Sequence, residues 1–301
     1  PISGSFMGKI LITGANGYLG GIVTKEILDN SDHDVLIVAS SKEKIEDMLT
    51  RMQITDQGRL TFMPNKDCVD MDIPLEDIDG VVHLAFARRG RPAADIASSL
   101  TYAESIFRKL TKYKIDRVIN MSSQGIYGNT ETFRTEQTAI APETHYTMAK
   151  YASEILFNNM MEKTTKHTCL RLDLVTQSQN IIKVLCDQAK KGKISLKGGK
   201  QVFSFIDGKD AGRAVLAMLK AEGSWAAAYN VGWNRCRYNL LEVADTIADA
   251  VVDYGFERPV ISLDEQDIYL WSGMDSSRFM KKTGWKPELS LVDTIHNILR
   301  N

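Results

Sequence analysis

The chain has no apolar run approaching the roughly 18 residues that a membrane-spanning helix requires, which excludes a helical integral membrane protein. Cysteine is scarce. Four in 301 residues, Cys68, Cys169, Cys186 and Cys236, lie far apart without a CxxC pair, so neither a disulfide framework nor a zinc site is indicated. They read as small buried hydrophobes of a reducing compartment. Charge of one sign is also missing: 37 Lys and Arg stand against 38 Asp and Glu, a net charge of −1. No global attraction to nucleic acid or anionic lipid follows, and no strong local patch suggests either partner. The start, Pro1 to Phe6, lacks the regions of a signal peptide and reads as an expression remnant ahead of a natural start at Met7, so a cytoplasmic location is expected.

What is present is an ordinary globular composition, 44 % hydrophobic and 25 % charged, which rules out disorder and collagen-like folds. A chain this long buries roughly 75 % of its unfolded surface, enough for a large and a small domain sharing a cleft. Apolar runs alternate with helical patterns: strand Lys9–Thr13, helix Tyr18–Asp29, strand Val35–Ala39, helix Lys42–Met52, strands Leu60–Met63 and Gly80–Ala85, helix Pro92–Tyr113, and strand Arg117–Ser122. After a loop rich in Thr, Glu and Pro come a helix His145–Glu162 and a strand Thr168–Val175. Near-continuous apolar strands of this kind belong to a parallel sheet covered on both faces. The remainder is less regular: a helix Ile181–Lys191, a turn at Gly198 and Gly199, and helices Gly208–Lys220 and Asn239–Tyr254. The expected fold is α/β, a Rossmann-type doubly wound parallel sheet over residues 7–175, to which parts of 204–235 return, with a smaller C-terminal substrate-binding domain from 176–203 and 236–301.

Between the first strand and helix lies Gly14-Ala15-Asn16-Gly17-Tyr18-Leu19-Gly20, where a dinucleotide pyrophosphate binds. Gly14 permits the tight turn, Gly17 lets backbone N–H groups approach the phosphates, and Gly20 lets helix and strand pack closely. NAD-specific sites carry a carboxylate at the end of the second strand; here the stretch is Ser40-Ser41-Lys42, two hydroxyls and an ammonium, which favours NADP over NAD. The plainer reading of Lys42 is the start of a solvated helix.

Tyr146 and Lys150 stand one helical turn apart on one face, a spacing that suits acid/base chemistry. An ammonium stabilises phenolate, so that the phenol can exchange a proton with a substrate hydroxyl or carbonyl near neutral pH. Ser122 and Ser123 end a strand where open α/β sheets place their sites, and one of these hydroxyls can bind the reacting oxygen.

These residues resemble the extended short-chain dehydrogenase/reductase family, the NAD-dependent epimerase/dehydratase group, over nearly the whole chain from Met7. The resemblance rests on the glycine loop, Val82-His83-Leu84-Ala85, Ser123 before Tyr127-Gly128, Tyr146/Lys150, Asp210 in FIDGKDAGRA, Tyr229-Asn230-Val231-Gly232 and Gly284-Trp285-Lys286-Pro287. It implies a catalytic Ser123, Tyr146 and Lys150, with Lys150 also holding the nicotinamide ribose. It further implies cofactor contacts from Asn16, Tyr18, Leu19, Leu84 and Ala85, adenine contacts from Asp67 and Cys68, and a homodimer through the helices near 92–113 and 145–162.

Three positions depart from the family pattern: Ser99 and Leu174 each replace an Asn, and Phe203 stands where an arginine pairs with a sugar-nucleotide diphosphate. Phe203 is expected at the substrate, where it can stack or pack but cannot neutralise a phosphate. Arg88-Arg89-Gly90-Arg91 follows the His83-Leu84-Ala85 strand end and reads either as a site for a substrate phosphate or carboxylate or as a solvated basic loop. His145 reads as a helix-start residue ahead of a base. The function expected is that of an NAD(P)-dependent nucleotide-sugar epimerase or 4-keto reductase. Dehydration ranks below both, because Gln124-Gly125 replaces the acidic pair that drives elimination. The alternatives are an NADPH-dependent reductase of a small ketone or aldehyde, or a non-catalytic NADP-binding sensor on the same fold.

Overall fold

A computed structural model describes residues 8–70, 75, 77–164, 166–176 and 181–300. The expected remnant Pro1–Phe6 and the start at Met7 lie outside these residues. Strand β1 (Lys9–Thr13) buries Ile10, Leu11 and Ile12 completely, because both faces of the sheet are covered. Helix α1 (Tyr18–Asn30), β2 (Asp34–Ala39), α2 (Lys42–Met52), β3 (Leu60–Pro64), a short α3 (Asn65–Asp70), β4 (Ile78–His83), α4 (Ala93–Leu110) and β5 (Arg117–Ser123) complete the alternation. After a 3₁₀ turn at Gln124–Tyr127 come α5 (His145–Met160) and β6 (Lys166–Leu172). Then follow β7 (Leu174–Val175), α6 (Ile181–Ala189), β8 (Lys193–Gly198), β9 (Val202–Phe203), β10 (Phe205–Ile206), α7 (Gly208–Lys220) and β11 (Ala228–Val231). The chain ends with β12 (Tyr238–Asn239), α8 (Leu240–Ala250), β13 (Val260–Glu265), α9 (Ser277–Thr283) and α10 (Leu291–Arg300).

Seven strands form one parallel sheet in the order β11-β6-β5-β4-β1-β2-β3. The order reverses between β1 and β4, and in open α/β sheets ligands bind beyond the carboxyl ends of the strands at that point. The glycine loop leaves β1 there, and Leu84-Ala85 leaves β4, so the strand pattern read as Gly80–Ala85 ends two residues earlier, at His83.

The apolar run Thr168–Val175 is not one strand. It breaks at Asp173, whose carboxylate accepts the N–H of Leu174 (2.9 Å), and β7 leaves the main sheet to pair with β10. Asn239 caps α8 from outside, in a reciprocal pair with Glu242, and α8 gives way to a 3₁₀ turn at Val251–Tyr254. The parallel pair β8 and β13 escaped the sequence reading, because their partners are 67 positions apart and each strand is short.

Contacts divide the chain into two units. The first takes the described residues up to Ile126 with Pro142–Arg171 and Gly212–Tyr229; the second takes Tyr127–Ala141, Leu172–Ala211 and the described residues from Asn230. The first has a core built around Phe107 and Phe157, whose rings meet edge to face at 5.1 Å. The core of the second centres on Leu185, Ile247 and Ile295, with Phe203 stacked on Phe205. Within the second unit the FIDGKD and GWKP motifs meet: Asp210 accepts the N–H groups of Glu288 (2.9 Å) and Leu289 (2.8 Å), and its carbonyl accepts the Trp285 indole N–H (3.2 Å). Asp210 is therefore a structural tie.

Candidate active site

Gly14 holds φ +71°, and a Cβ there would lie 2.7 Å from the backbone of Ala85. Only glycine allows the loops after β1 and β4 to approach so closely. Gly20 packs against the same turn: a Cβ would fall 2.2 Å from the Gly14 carbonyl oxygen. Gly17 begins α1 with no side-chain cap, and the first turn, with half-buried Tyr18 and Leu19, carries no acidic residue. That turn's N–H groups and positive dipole end fit a dinucleotide pyrophosphate.

At the end of β2, Ser41 caps α2 by accepting the Lys44 N–H, and Lys42 stands 3.9 Å from Glu46 on the solvated face. The ammonium nearest the serines is Lys44, 3.0 Å from the Ser40 hydroxyl, and Arg51 donates to the carbonyl of half-buried Asn16 (3.2 Å). Neither cation was expected. The i, i+4 spacing from Ser40 to Lys44 was a readable signal, whereas nothing local placed Arg51 on the glycine loop. Asp67 is half-buried on α3. Cys68 differs from expectation: it is withdrawn into the hydrophobic core with Leu36 and Val38, where burial pushes its thiol pKa up, and it offers no face to a ligand.

Helix α5 begins at a capping box in which the Thr144 hydroxyl accepts the Thr147 N–H and the Thr144 N–H is received by the Thr147 hydroxyl. Two residues on, the half-buried Tyr146 ring meets Phe86 edge to face at 6.2 Å. Burial pushes the phenol up to about 12, while the Arg89 guanidinium and the Ser123 hydroxyl act against it by favouring phenolate. Lys150 is buried, donates to the Met121 carbonyl (2.9 Å) and lies 4.1 Å from the centre of the Phe86 ring. Burial brings its ammonium down to about 8, against the opposing influence of Cys169 and Glu154. Arg89 is a cation acting on the phenol, while the Lys150 amine reaches the Met121 carbonyl near the end of β5. Ser123 is half-buried, its hydroxyl accepting the Gly125 N–H (3.2 Å). Gln124 beside it is buried, with its carbonyl oxygen unpartnered among the described residues.

The basic loop is not uniform. Arg91 pairs with Asp95 (2.6 Å), and its carbonyl accepts the His145 Nε2–H (3.1 Å), so Arg91 and His145 brace the loop against α5. Arg88 and Arg89 are exposed. Ser99 binds the backbone on both sides, accepting the Ala87 N–H and donating to the Asp95 carbonyl (both 2.9 Å). Phe203 departs from the role expected of it: its ring is buried in the core of the second unit, stacked on Phe205 at 5.7 Å, and is packing rather than an open stacking surface. Among the described residues no three His, Cys, Asp or Glu side chains converge as metal ligands, and no helix is long and apolar enough to cross a membrane.

The first unit thus brings a glycine-lined turn, a phenol, a serine hydroxyl and a buried amine to one end of a parallel sheet. The profile of the NAD dependent epimerase/dehydratase family matches residues 10–232, more than half of the chain. The dTDP-glucose 4,6-dehydratase of Escherichia coli is 24 % identical over 93 % of this chain and 88 % of its own. Two solved structures share the fold. One is the UDP-glucuronic acid 4-epimerase of Bacillus cereus in complex with NAD, with TM-score 0.80, 19 % identity, and coverage of 97 % of this chain and 98 % of that one. The other is the UDP-glucose 4-epimerase of Thermotoga maritima with UDP-glucose, with TM-score 0.79, 21 % identity, and 97 % of each chain covered.

Proposed function

The chain belongs to the NAD dependent epimerase/dehydratase family and is one of its enzymes, and from that premise we propose that it moves a hydride to or from a sugar carbon of a nucleotide sugar. The placement of Tyr146 within the influence of Ser123 and Arg89, on the helix that carries Lys150, carries this reading. A bound nicotinamide dinucleotide supplies the hydride acceptor or donor. Gly14, Gly17 and Gly20 shape the pyrophosphate turn, with Asn16, Tyr18, Leu19, Leu84 and Ala85 around it. Tyr146 takes the proton of the substrate hydroxyl as the carbonyl forms and returns it in the reverse direction. Ser123 orients the reacting oxygen, and Lys150 holds the ribose.

Epimerisation or 4-keto reduction fits better than dehydration, since Gln124 and Gly125 supply no acid to drive elimination. The cofactor reading is NADP ahead of NAD. It rests on Ser40 with Lys44 and Arg51 at hand and on the missing carboxylate at the end of β2, although the epimerase of Bacillus cereus is complexed with NAD. The reading also assigns dinucleotide binding to the first unit and substrate specificity to the second, in the cytoplasm. A homodimer through α4 and α5 is part of it, and exposed Met148 and Ile155, two turns apart on α5, suit such an interface.

The test is a thermal-shift panel with NADPH or NADH, alone and with UDP, dTDP, GDP or CDP, together with Tyr146→Phe. A ligand at 100 times its Kd adds about 2.7 kcal/mol to the native state. Stabilisation by a cofactor and one nucleotide, with turnover abolished and cofactor binding kept in Tyr146→Phe, is expected. A cofactor without any nucleotide would turn the search to small carbonyl compounds, and undiminished turnover in the variant would remove Tyr146 from catalysis.

A further inference from the structure

The segment from Phe86 to Arg91 is pinned to the start of α5 at both ends. At one end the Phe86 ring lies against Tyr146 and Lys150; at the other the Arg91 carbonyl receives the His145 Nε2–H (3.1 Å). Between the pins the backbone closes a turn, Arg91 N–H to Arg88 carbonyl (3.1 Å), with Gly90 at φ +87° in the third position. Such a turn holds Arg89 at its corner beside Arg88. The third arginine is spent on Asp95 (2.6 Å), whereas the side chains of Arg88 and Arg89, both exposed residues, make no ion pair or hydrogen bond among the described residues. Two successive exposed guanidinium groups with no carboxylate partner among the described residues are available to an anion.

We propose that this turn is an anion clamp for the reacting end of the substrate, in which Arg88 and Arg89 bind a carboxylate or phosphate carried by the same sugar whose carbon exchanges hydride. The inference rests on the reading of Tyr146 given above and deepens it. A guanidinium fork matches the two oxygens of a carboxylate, or two of a phosphate, and fixes the sugar in rotation as well as position. Phe86, which opens the segment, touches the Tyr146 ring, and the Arg89 charge favours the phenolate, so the turn lies toward the reacting hydroxyl. The cations bonded at the glycine loop and at the end of β2 are Arg51 and Lys44, not Arg88 or Arg89.

The test uses full-length protein loaded with NADPH or NADH and titrated calorimetrically with D-glucuronate, D-glucose 6-phosphate and neutral D-glucose. Wild-type protein is expected to bind at least one charged probe about tenfold more tightly than glucose, with the preference eroding as salt rises. The tighter of the two anions then names the group as carboxylate or phosphate. The double variant Arg88→Gln/Arg89→Gln is expected to lose that preference and keep its affinity for the cofactor. No preference in the wild-type protein, including no measurable binding of any probe, overturns the clamp, as does a preference that survives in the double variant. Failure to bind either cofactor would sink the underlying reading instead, and is scored separately in the loading step.

Discussion

Arg171 grips Glu154 with both prongs of its guanidinium, Nε 3.0 Å from Oε1 and Nη2 2.7 Å from Oε2, and both side chains are buried. The pair joins β6 to α5 one helical turn beyond Lys150, and Glu154 is among the groups that favour the lysine's ammonium. Glu154→Ala removes the carboxylate from a buried guanidinium, and a loss of about 3–5 kcal/mol is expected in urea unfolding. A loss under 1 kcal/mol would mean that water reaches Arg171.

The Arg89 charge favours the phenolate form of Tyr146, so removing it raises the phenol's pKa further. In Arg89→Gln the acidic limb of the pH profile for alcohol oxidation should move to higher pH by about one unit, and Arg89→Lys should restore most of the shift. An acidic limb unmoved in Arg89→Gln would show that another group titrates there.

Asp173 is buried, and its carboxyl is pushed from the ordinary 3.8 up to about 6, chiefly by burial. The folded state therefore holds a proton that the unfolded state releases between these values. The stability this adds is complete below pH 3.8 and is lost as pH rises through about 6. Asp173→Asn stays neutral, still accepts the Leu174 N–H through its Oδ1, and can donate its Nδ2–H to the Ser204 hydroxyl. It should gain on the wild type by up to about 3 kcal/mol between pH 4 and pH 7, measured by urea unfolding at both. A gap that is constant with pH would place the proton elsewhere.

Two glycines of one loop should separate by experiment. A Cβ at Gly20 would press on the Gly14 carbonyl at 2.2 Å, whereas at Gly17 it would meet that oxygen at 3.2 Å. Gly20→Ala is expected to cost about 1–3 kcal/mol of stability as well as cofactor affinity. Gly17→Ala should leave Tm nearly unchanged while weakening NADPH or NADH binding, because it obstructs the phosphate approach. Equal Tm losses would refute the distinction.

The order of elements through β5, except the short α3, was legible because each strand is a short apolar run and each longer helix repeats at its own period, with Gly14, Gly17 and Gly20 marking the first turn. Helices α2 and α7 stand over the residues expected, Lys42–Met52 and Gly208–Lys220. The break at Asp173 was hidden, because a buried carboxylate bound to Ser204 and to the Leu174 N–H sits inside an otherwise apolar stretch. Phe203 and Cys68 were read as ligand contacts from their alignment with the family, yet core packing claimed both side chains.

By itself the sequence determined a parallel α/β sheet with a glycine-lined turn after its first strand, and a tyrosine and lysine spaced to share a helix face. These are local properties, set by residue period and backbone freedom. Only the tertiary structure decided which cation acts on the Tyr146 phenol, which arginines remain unpaired and which cations stand by the end of β2. Those depend on loops distant in sequence meeting at the carboxyl ends of β1, β2 and β4, where a few ångströms decide between a paired charge and a charge left for a ligand.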